Sequence, residues 1–179
     1  MSSSLRHRVT LSAALACALV VCSTRPIDGA ESAVLDEGQV KAAFLFNFAK
    51  FVQWPTDSRG PLVIGIIGDD AFGDVVEKVV RGRTVSGRDL AARRLAVGDK
   101  TDGCSMVFIP SAQQRDAADV LQRTRGPVLT VGETPQFVRD GGMVRFLVED
   151  NHVRFQINQR NAEAAGLKIS SQLLTLATR

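Results

Sequence analysis

Short apolar strands alternate along this chain with segments of helical spacing, and this alternation most constrains the fold. The run Leu62–Ile67 is apolar throughout, as in a strand that is covered on both faces. Phe72–Val80 follows it with apolar residues at helical spacing. The pattern then predicts strands at Leu95–Val97, Ser105–Ile109 and Val128–Val131, and helices at Ser111–Arg123, Gln136–Arg139 and Asn161–Ala165, with a last one capped by Ser170 or Ser171 and running through Leu176. Such a chain is expected to be α/β, with a mostly parallel sheet flanked by helices on both faces.

Two further segments refine this topology. Met143–Glu149 and His152–Ile157 surround Asp150-Asn151, a pattern that predicts an antiparallel hairpin at one edge of the sheet. Arg81–Arg94 is polar and rich in arginine, with a turn predicted at Ser86-Gly87. The next strand is therefore expected only at Leu95.

The N-terminus has the pattern of an export signal. Basic residues at Arg6 to Arg8 precede the apolar run Val9–Val21, which is too short for a comfortable membrane span, and small residues follow. Residues 1–23, or residues up to 30, are expected to be a signal peptide, which leaves 31–179 as a single domain in the periplasm. Lipid attachment at Cys22 is disfavoured, since Val21 is bulkier than the small residue that such a site requires.

Charge and cysteine content narrow the class of partner. The chain has 22 basic and 19 acidic side chains, and both Arg6 and Arg8 would leave with the signal, so the mature domain is almost neutral. The mature domain therefore lacks the excess of basic residues that is typical of nucleic-acid-binding proteins. Cleavage would also remove Cys17 and Cys22, which leaves Cys104 alone. Burial of Cys104 is expected, because an apolar run follows it.

The segment from Val40 to Trp54 is predicted to be a helix that Pro55 ends. Its expected core-facing stripe consists of Val40, Phe44, Leu45, Phe48, Phe51 and Val52. Phe46 points almost oppositely, and Trp54 lies beside Asn47 and Lys50. Either a partner or ligand covers this second aromatic ridge, or another element of the same domain does. Lys41 projects into the apolar sector, where a lysine can snorkel from the first turn.

Catalytic and cofactor chemistry have little support. His152 would be the only histidine of the mature chain, tyrosine is absent, and no serine lies in a Gly-x-Ser-x-Gly turn. One histidine and one cysteine do not make a zinc site. The glycines Gly65, Gly68 and Gly73 have the wrong spacing for a dinucleotide loop, and Asp69-Asp70 would repel a pyrophosphate. The protein is therefore expected not to be an enzyme and to hold no cofactor or metal.

Two polar groups are open to more than one interpretation. The densest positive patch is either a solvated face or a docking site for an acidic partner, and it consists of Arg81, Arg83, Arg88, Arg93 and Arg94. The second group is a row on one face of the last long strand, formed by Arg154, Gln156 and Asn158. This row either lines a polar groove or is the wet side of an edge strand.

Six segments together resemble the YfiR family of bacterial periplasmic proteins. They are Val40–Pro55, Gly65–Gly73, Pro127–Val131, Gly141–Met143, and Val153–Asn158 with Ala164–Ser171. The resemblance spans nearly all of the mature chain and agrees with the export signal and the α/β pattern.

The resemblance implies a negative regulator that acts by protein binding. A YfiR protein holds down an inner-membrane diguanylate cyclase by binding its periplasmic domain, which limits cyclic di-GMP signalling and biofilm formation. A homodimer is also implied. Cys104 matches a disulfide position of the family, but no second cysteine would be left in the mature chain, so Cys104 is either a vestige or an intermolecular link.

Two hypotheses about the site follow. In the first, Phe46, Asn47, Lys50 and Trp54 bind the membrane-anchored sensor or cyclase. In the second, the protein is a small-ligand receptor linked to a sensor kinase or an outer-membrane transport system. Its pocket would lie between the aromatic helix and the strand face of Arg154 and Asn158, with Lys168 nearby.

Overall fold

The structure is a computed structural model and describes residues 29–55, 60–68 and 71–178. The predicted signal peptide and the Asp69-Asp70 pair lie outside these ranges. The described helices are α1 (Gly29–Phe51), α2 (Ala71–Val80), α3 (Ala117–Arg123), α4 (Pro135–Arg139), α5 (Gln159–Ala164) and α6 (Ser171–Leu176), with a 3-10 helix at Ser111–Asp116. The strands are β1 (Val52–Gln53), β2 (Leu62–Ile67), β3 (Thr84–Val85), β4 (Arg88–Leu95), β5 (Met106–Ile109), β6 (Leu129–Gly132), β7 (Val144–Glu149), β8 (His152–Ile157) and β9 (Lys168–Ile169).

Seven of these strands form one sheet in the order β3-β4-β2-β5-β6-β7-β8. The five strands from β4 to β7 are parallel, while β3 and β8 run antiparallel at the two edges. The predicted α/β fold is confirmed, and so is the β7–β8 hairpin, whose turn residues Asp150 and Asn151 have positive φ. The second antiparallel edge, at β3, is an addition to the prediction.

Helices cover the sheet on both faces. On one face, a core cluster joins the sheet to α1, α2, α5 and α6, and on the other a second cluster joins it to α3 and α4. The alternation of strand side chains produces this division. In β2, for example, Ile64 and Ile66 point into the first cluster and Ile67 into the second.

The aromatic helix α1 is longer than predicted at its start and shorter at its end. It ends at Phe51 and not at Pro55, because Val52 and Gln53 pair with β9 as a short antiparallel strand. The carbonyl oxygen of Phe51 also accepts a hydrogen bond from the N–H of Ser170 at 3.0 Å. Tertiary pairing therefore stops the helix before the proline can.

The Arg-rich segment contains a long strand that the sequence pattern missed. β4 spans Arg88–Leu95 and pairs along its length with β2, and the turn at Ser86-Gly87 joins it to β3. Leu90 and Leu95 are its buried side chains, separated by a run in which arginine and alanine mask the strand period. The strand expected at Leu95–Val97 is thus the end of this longer one.

The helix predicted at Ser111–Arg123 begins without a serine cap, whereas the cap predicted at Ser170 is confirmed. The 3-10 helix begins after Pro110 without a side-chain cap, and the N–H of Ser111 donates to the Glu133 carboxylate at 2.6 Å. At α6, the hydroxyl oxygen of Ser170 accepts the N–H of Leu173 at 3.3 Å.

Candidate functional site

The packing of α1 leaves one of its sides open. From position 37 onward, where the structure describes its side chains, the buried ones are Ala42, Leu45, Phe48 and Ala49. Phe48 is fully enclosed by aromatic rings from its own helix and from the sheet, with centroid distances of 5.6 Å to Phe146 and 5.1 Å to Phe155. Because these rings anchor α1, the opposite side of the helix faces outward with Lys50 exposed and Phe46 and Asn47 half-buried.

Phe46 forms a small aromatic-basic cluster on this side. The Arg83 guanidinium lies over its ring, 4.5 Å from the centroid, and the Lys50 ammonium lies 5.6 Å from it. Arg83 comes from the turn between α2 and β3, and so another element of the domain covers one part of the ring. Phe46 also packs against the main core and stays half-buried. Cation–π contacts of this kind contribute about 0.5–1 kcal/mol at exposed sites.

Trp54 lies beyond the end of α1, just after β1. Its indole N–H donates to the carbonyl oxygen of Ala49 at 3.4 Å, and the ring is half-buried against the main core. The register of the β1–β9 pair sets Lys168 opposite Gln53, one residue before Trp54. The structure therefore brings Phe46, Asn47 and Lys50 together on one helix side, and it places Trp54 next to the short β1–β9 sheet, of which Lys168 is a member.

The polar row of β8 does not join this surface. Phe155 points toward α1, with its centroid 5.2 Å from that of Phe44, so Arg154 and Gln156 point to the opposite face of the sheet. Arg154 lies 3.5 Å from Glu149 in an exposed ion pair, and Gln156 accepts from Arg145 at 3.1 Å.

Asn158, the third member of the row, has a structural contact of its own. Its side-chain oxygen accepts the N–H of Asn161 at 3.1 Å and caps α5. The sheet therefore lies between α1 and the Arg154 side chain, whereas Asn158 is engaged at the start of α5. The structure does not bring Arg154 and Asn158 together with the aromatic helix in one pocket.

Lys41 has a role that helical projection alone does not predict. Its ammonium pairs with Glu37 one turn earlier and, at 2.6 Å, with Glu133, which directly follows β6. Burial lowers the pKa of Lys41, but hydrogen bonds and charges from Glu133 and Glu37 outweigh burial and raise the pKa above its ordinary value. Since Glu133 also holds the N–H of Ser111, this network ties α1 to the sheet.

Most of the arginine cluster stabilises the domain itself. Arg94 forms ion pairs with Asp74 and Glu77. The side chain of Arg88 donates to the carbonyl oxygen of Gly60 at 2.7 Å. The side chain of Arg93 donates to the backbone carbonyl oxygen of Asp102 at 2.8 Å. Arg81 and Arg83 are exposed, and through Arg83 the cluster contributes to the surface of α1.

Cys104 is buried inside the domain, whereas His152 lies at its surface. Cys104 is a free, buried thiol, as expected, and its sulfur lies 3.1 Å from a guanidinium nitrogen of Arg93. His152 is exposed beside the hairpin turn, with Nδ1 2.7 Å from the carbonyl oxygen of Asp150. In the described part of the chain, no group of three or more His, Cys, Asp or Glu side chains could hold a metal ion.

These features define an α/β protein with an aromatic-basic side on its leading helix. A family model described as YfiR/HmsC-like matches residues 38–178, which include most of α1 and the entire sheet. The chain therefore belongs to the YfiR/HmsC-like family, which confirms the resemblance. No curated protein matches it. Within the described ranges, the helices are too short or too polar to cross a membrane.

Proposed function

We propose that the protein is a periplasmic regulator that represses an inner-membrane diguanylate cyclase by binding its periplasmic domain. Family membership supports the regulatory class, and the basic and apolar start of the chain supports export. In this role the protein limits cyclic di-GMP and biofilm formation through contact and not through catalysis.

The proposed docking surface consists of Phe46, Asn47 and Lys50 on the open side of α1, together with Trp54, which follows β1. The observation that carries the proposal is the state of Phe46, a half-buried ring that touches two cations on the outside of the domain. Aromatic and arginine side chains dominate the binding energy of many protein interfaces. Phe46 and Arg83 supply both kinds here, and Lys50 adds a positive charge. The partner is accordingly expected to offer an apolar ridge with acidic side chains around it.

The decisive variant is Lys50→Glu, since Lys50 is exposed and its reversal leaves the core untouched. Binding to the purified periplasmic domain of the cyclase should weaken, chiefly through slower association, and the difference should shrink at high salt. Surface plasmon resonance at several ionic strengths measures this. Affinity equal to wild type at low salt would remove the docking surface from the interface.

The double variant Phe46→Ala and Trp54→Ala tests the aromatic part. It should release the partner and raise cellular cyclic di-GMP, while thermal unfolding shows a folded domain. Val148→Ala is a matched control, because it removes a 51 % exposed apolar side chain on the β7–β8 hairpin. If the double variant unfolds, the two rings belong to the core and the aromatic part of the docking surface is refuted. The Lys50→Glu measurement still decides the charged part.

A homodimer is part of the same proposal. Light scattering of the exported domain between about 1 and 100 μM should report twice the monomer mass at the upper end. A monomer throughout this range would remove the dimer from the proposal and leave the docking surface to stand on the binding experiments.

A further inference from the structure

A cleft of about 490 Å³ opens at the edge of the sheet where β6 and β7 begin. It lies between the end of α3 and the helix α5, and none of its lining residues belongs to the docking surface. Leu121, Val128 and Met143 form apolar walls, and Thr130 and Arg125 are among its polar lining residues. This volume is within the range of small-molecule sites, which combine apolar walls with a few polar groups.

Thr130 has an unused hydrogen-bond donor. The side chain belongs to a residue that is only 3 % exposed, and its oxygen accepts the N–H of Met143 at 3.2 Å. The hydroxyl proton is therefore free to donate, and no described residue accepts it. Because Thr130 lines the cleft, its hydroxyl can donate to the oxygen of a ligand bound there.

Two charged side chains of opposite sign, Arg125 and Asp140, line the cleft. Arg125 is exposed in the connection between α3 and β6, and it forms no ion pair with any described residue. Asp140 is also exposed and lines the cleft, and its carboxylate accepts a hydrogen bond from the Gln136 side chain. Arg125 can therefore bind one anionic group, while Asp140 disfavours a ligand with two negative charges.

We propose that this cleft binds a small organic monoanion of the oxo-carboxylic acid class. Its carboxylate pairs with the Arg125 guanidinium, and an uncharged carbonyl oxygen further along the molecule accepts the hydroxyl proton of Thr130. The carbons between them pack against Leu121, Val128 and Met143. The site is separate from the docking surface and does not depend on the identity of the cyclase.

The test is a titration of the exported domain followed by amide NMR and by calorimetry. The probes are 4-oxopentanoate, 5-oxohexanoate and 6-oxoheptanoate, since the three chain lengths place the two oxygens at different separations. At least one should bind saturably, and the amide signal of Met143 should shift, because that N–H donates to the Thr130 hydroxyl. The absence of saturable binding by all three up to about 10 mM would overturn the proposal.

Matched probes separate the two polar contacts. For the oxo acid that binds best, the plain fatty acid of equal length lacks the carbonyl oxygen, and the methyl ester lacks the charge. Each is expected to bind about tenfold or more weakly than the oxo acid. Equal binding of all three would show that neither contact forms, and would refute the assignment of the ligand class.

Variants then assign each contact to a side chain. Arg125→Gln should weaken the oxo acid about tenfold and leave the ester unchanged, whereas Arg115→Gln, an exposed arginine in the 3-10 helix, should change neither. Thr130→Val should remove the preference for the oxo acid over the plain acid, and Thr130→Ser should retain it. Equal effects of the Arg125 and Arg115 variants would overturn the site even if Thr130→Val does not fold.

Discussion

Replacing Lys41 with methionine tests whether one ion network orients α1 on the sheet. Methionine keeps a long apolar side chain and removes the ammonium that donates to Glu133 at 2.6 Å. The side chains of Lys41 and Glu133 are only 14 % and 13 % exposed, so the carboxylate left behind is largely buried. This arrangement makes Lys41→Met a sensitive test of how the docking surface is held in place.

The expected magnitude follows from this burial. Removing one partner of a buried ion pair costs about 3–5 kcal/mol, because the other charge is left unpaired. Glu133 keeps the hydrogen bond from the N–H of Ser111 and some contact with water, which favours the lower end, about 3 kcal/mol. For a domain of this size, the melting temperature should fall by about 6–12 °C.

The assay is urea and thermal unfolding followed by circular dichroism. Lys78→Met is the control, since Lys78 is an exposed helical lysine, and it should change the free energy of unfolding by less than about 0.5 kcal/mol. Adding Glu133→Gln to Lys41→Met removes the stranded charge but keeps an acceptor for Ser111, and should recover about 1–2 kcal/mol. A loss below about 1 kcal/mol for Lys41→Met, or no recovery in the double variant, would refute the reasoning.

Three further predictions follow from the packing and the charges. The raised pKa of Lys41 means that its contribution to stability is fully present below its unfolded pKa of about 10.4 and is lost as pH rises through the folded pKa. The difference in melting temperature between wild type and Lys41→Met should thus be constant from about pH 7 to 9 and shrink above pH 10.4, and a difference that grows there would contradict it. Phe48→Ala should cost about 3–5 kcal/mol in urea unfolding, because the ring is fully buried among three other phenylalanines, and a cost below about 1 kcal/mol would mean that the core closes around the cavity. Gly142→Ala should destabilise the domain by about 1–3 kcal/mol, since its Cβ would lie 2.2 Å from the Phe137 ring, whereas Gly98→Ala, which meets nothing within 4 Å, should be nearly neutral in the same assay.

Much of the fold could be predicted because its elements have strong local patterns. The apolar run of β2 and the Asp150-Asn151 turn have few alternative conformations, and both are present as expected. β4 was missed because arginines interrupt the alternation that normally reveals a strand. Its arginines are accommodated by contacts with residues distant in sequence, such as Asp74 and Asp102, which no local pattern shows.

The candidate site was predictable only in part. Helical projection correctly set Phe46 apart from the buried side of α1, because the angle between residues of one helix is fixed. It could not show that Arg83 covers the ring, that the sheet separates α1 from Arg154, or that Asn158 caps α5. The cleft at Thr130 was also out of reach, since its residues come from segments whose meeting depends on strand order.

Local periodicity and side-chain chemistry by themselves determined the α/β class, the aromatic leading helix and the solitary thiol of the expected mature domain, and the resemblance of its segments indicated the family. Tertiary structure alone decided where α1 ends, that Glu133 forms an ion pair with Lys41, and which polar side chains of distant segments contact one another. The physical reason is range: helical and strand periods act over a few residues, whereas ion pairs and strand pairing join residues such as Lys41 and Glu133 that are 92 positions apart.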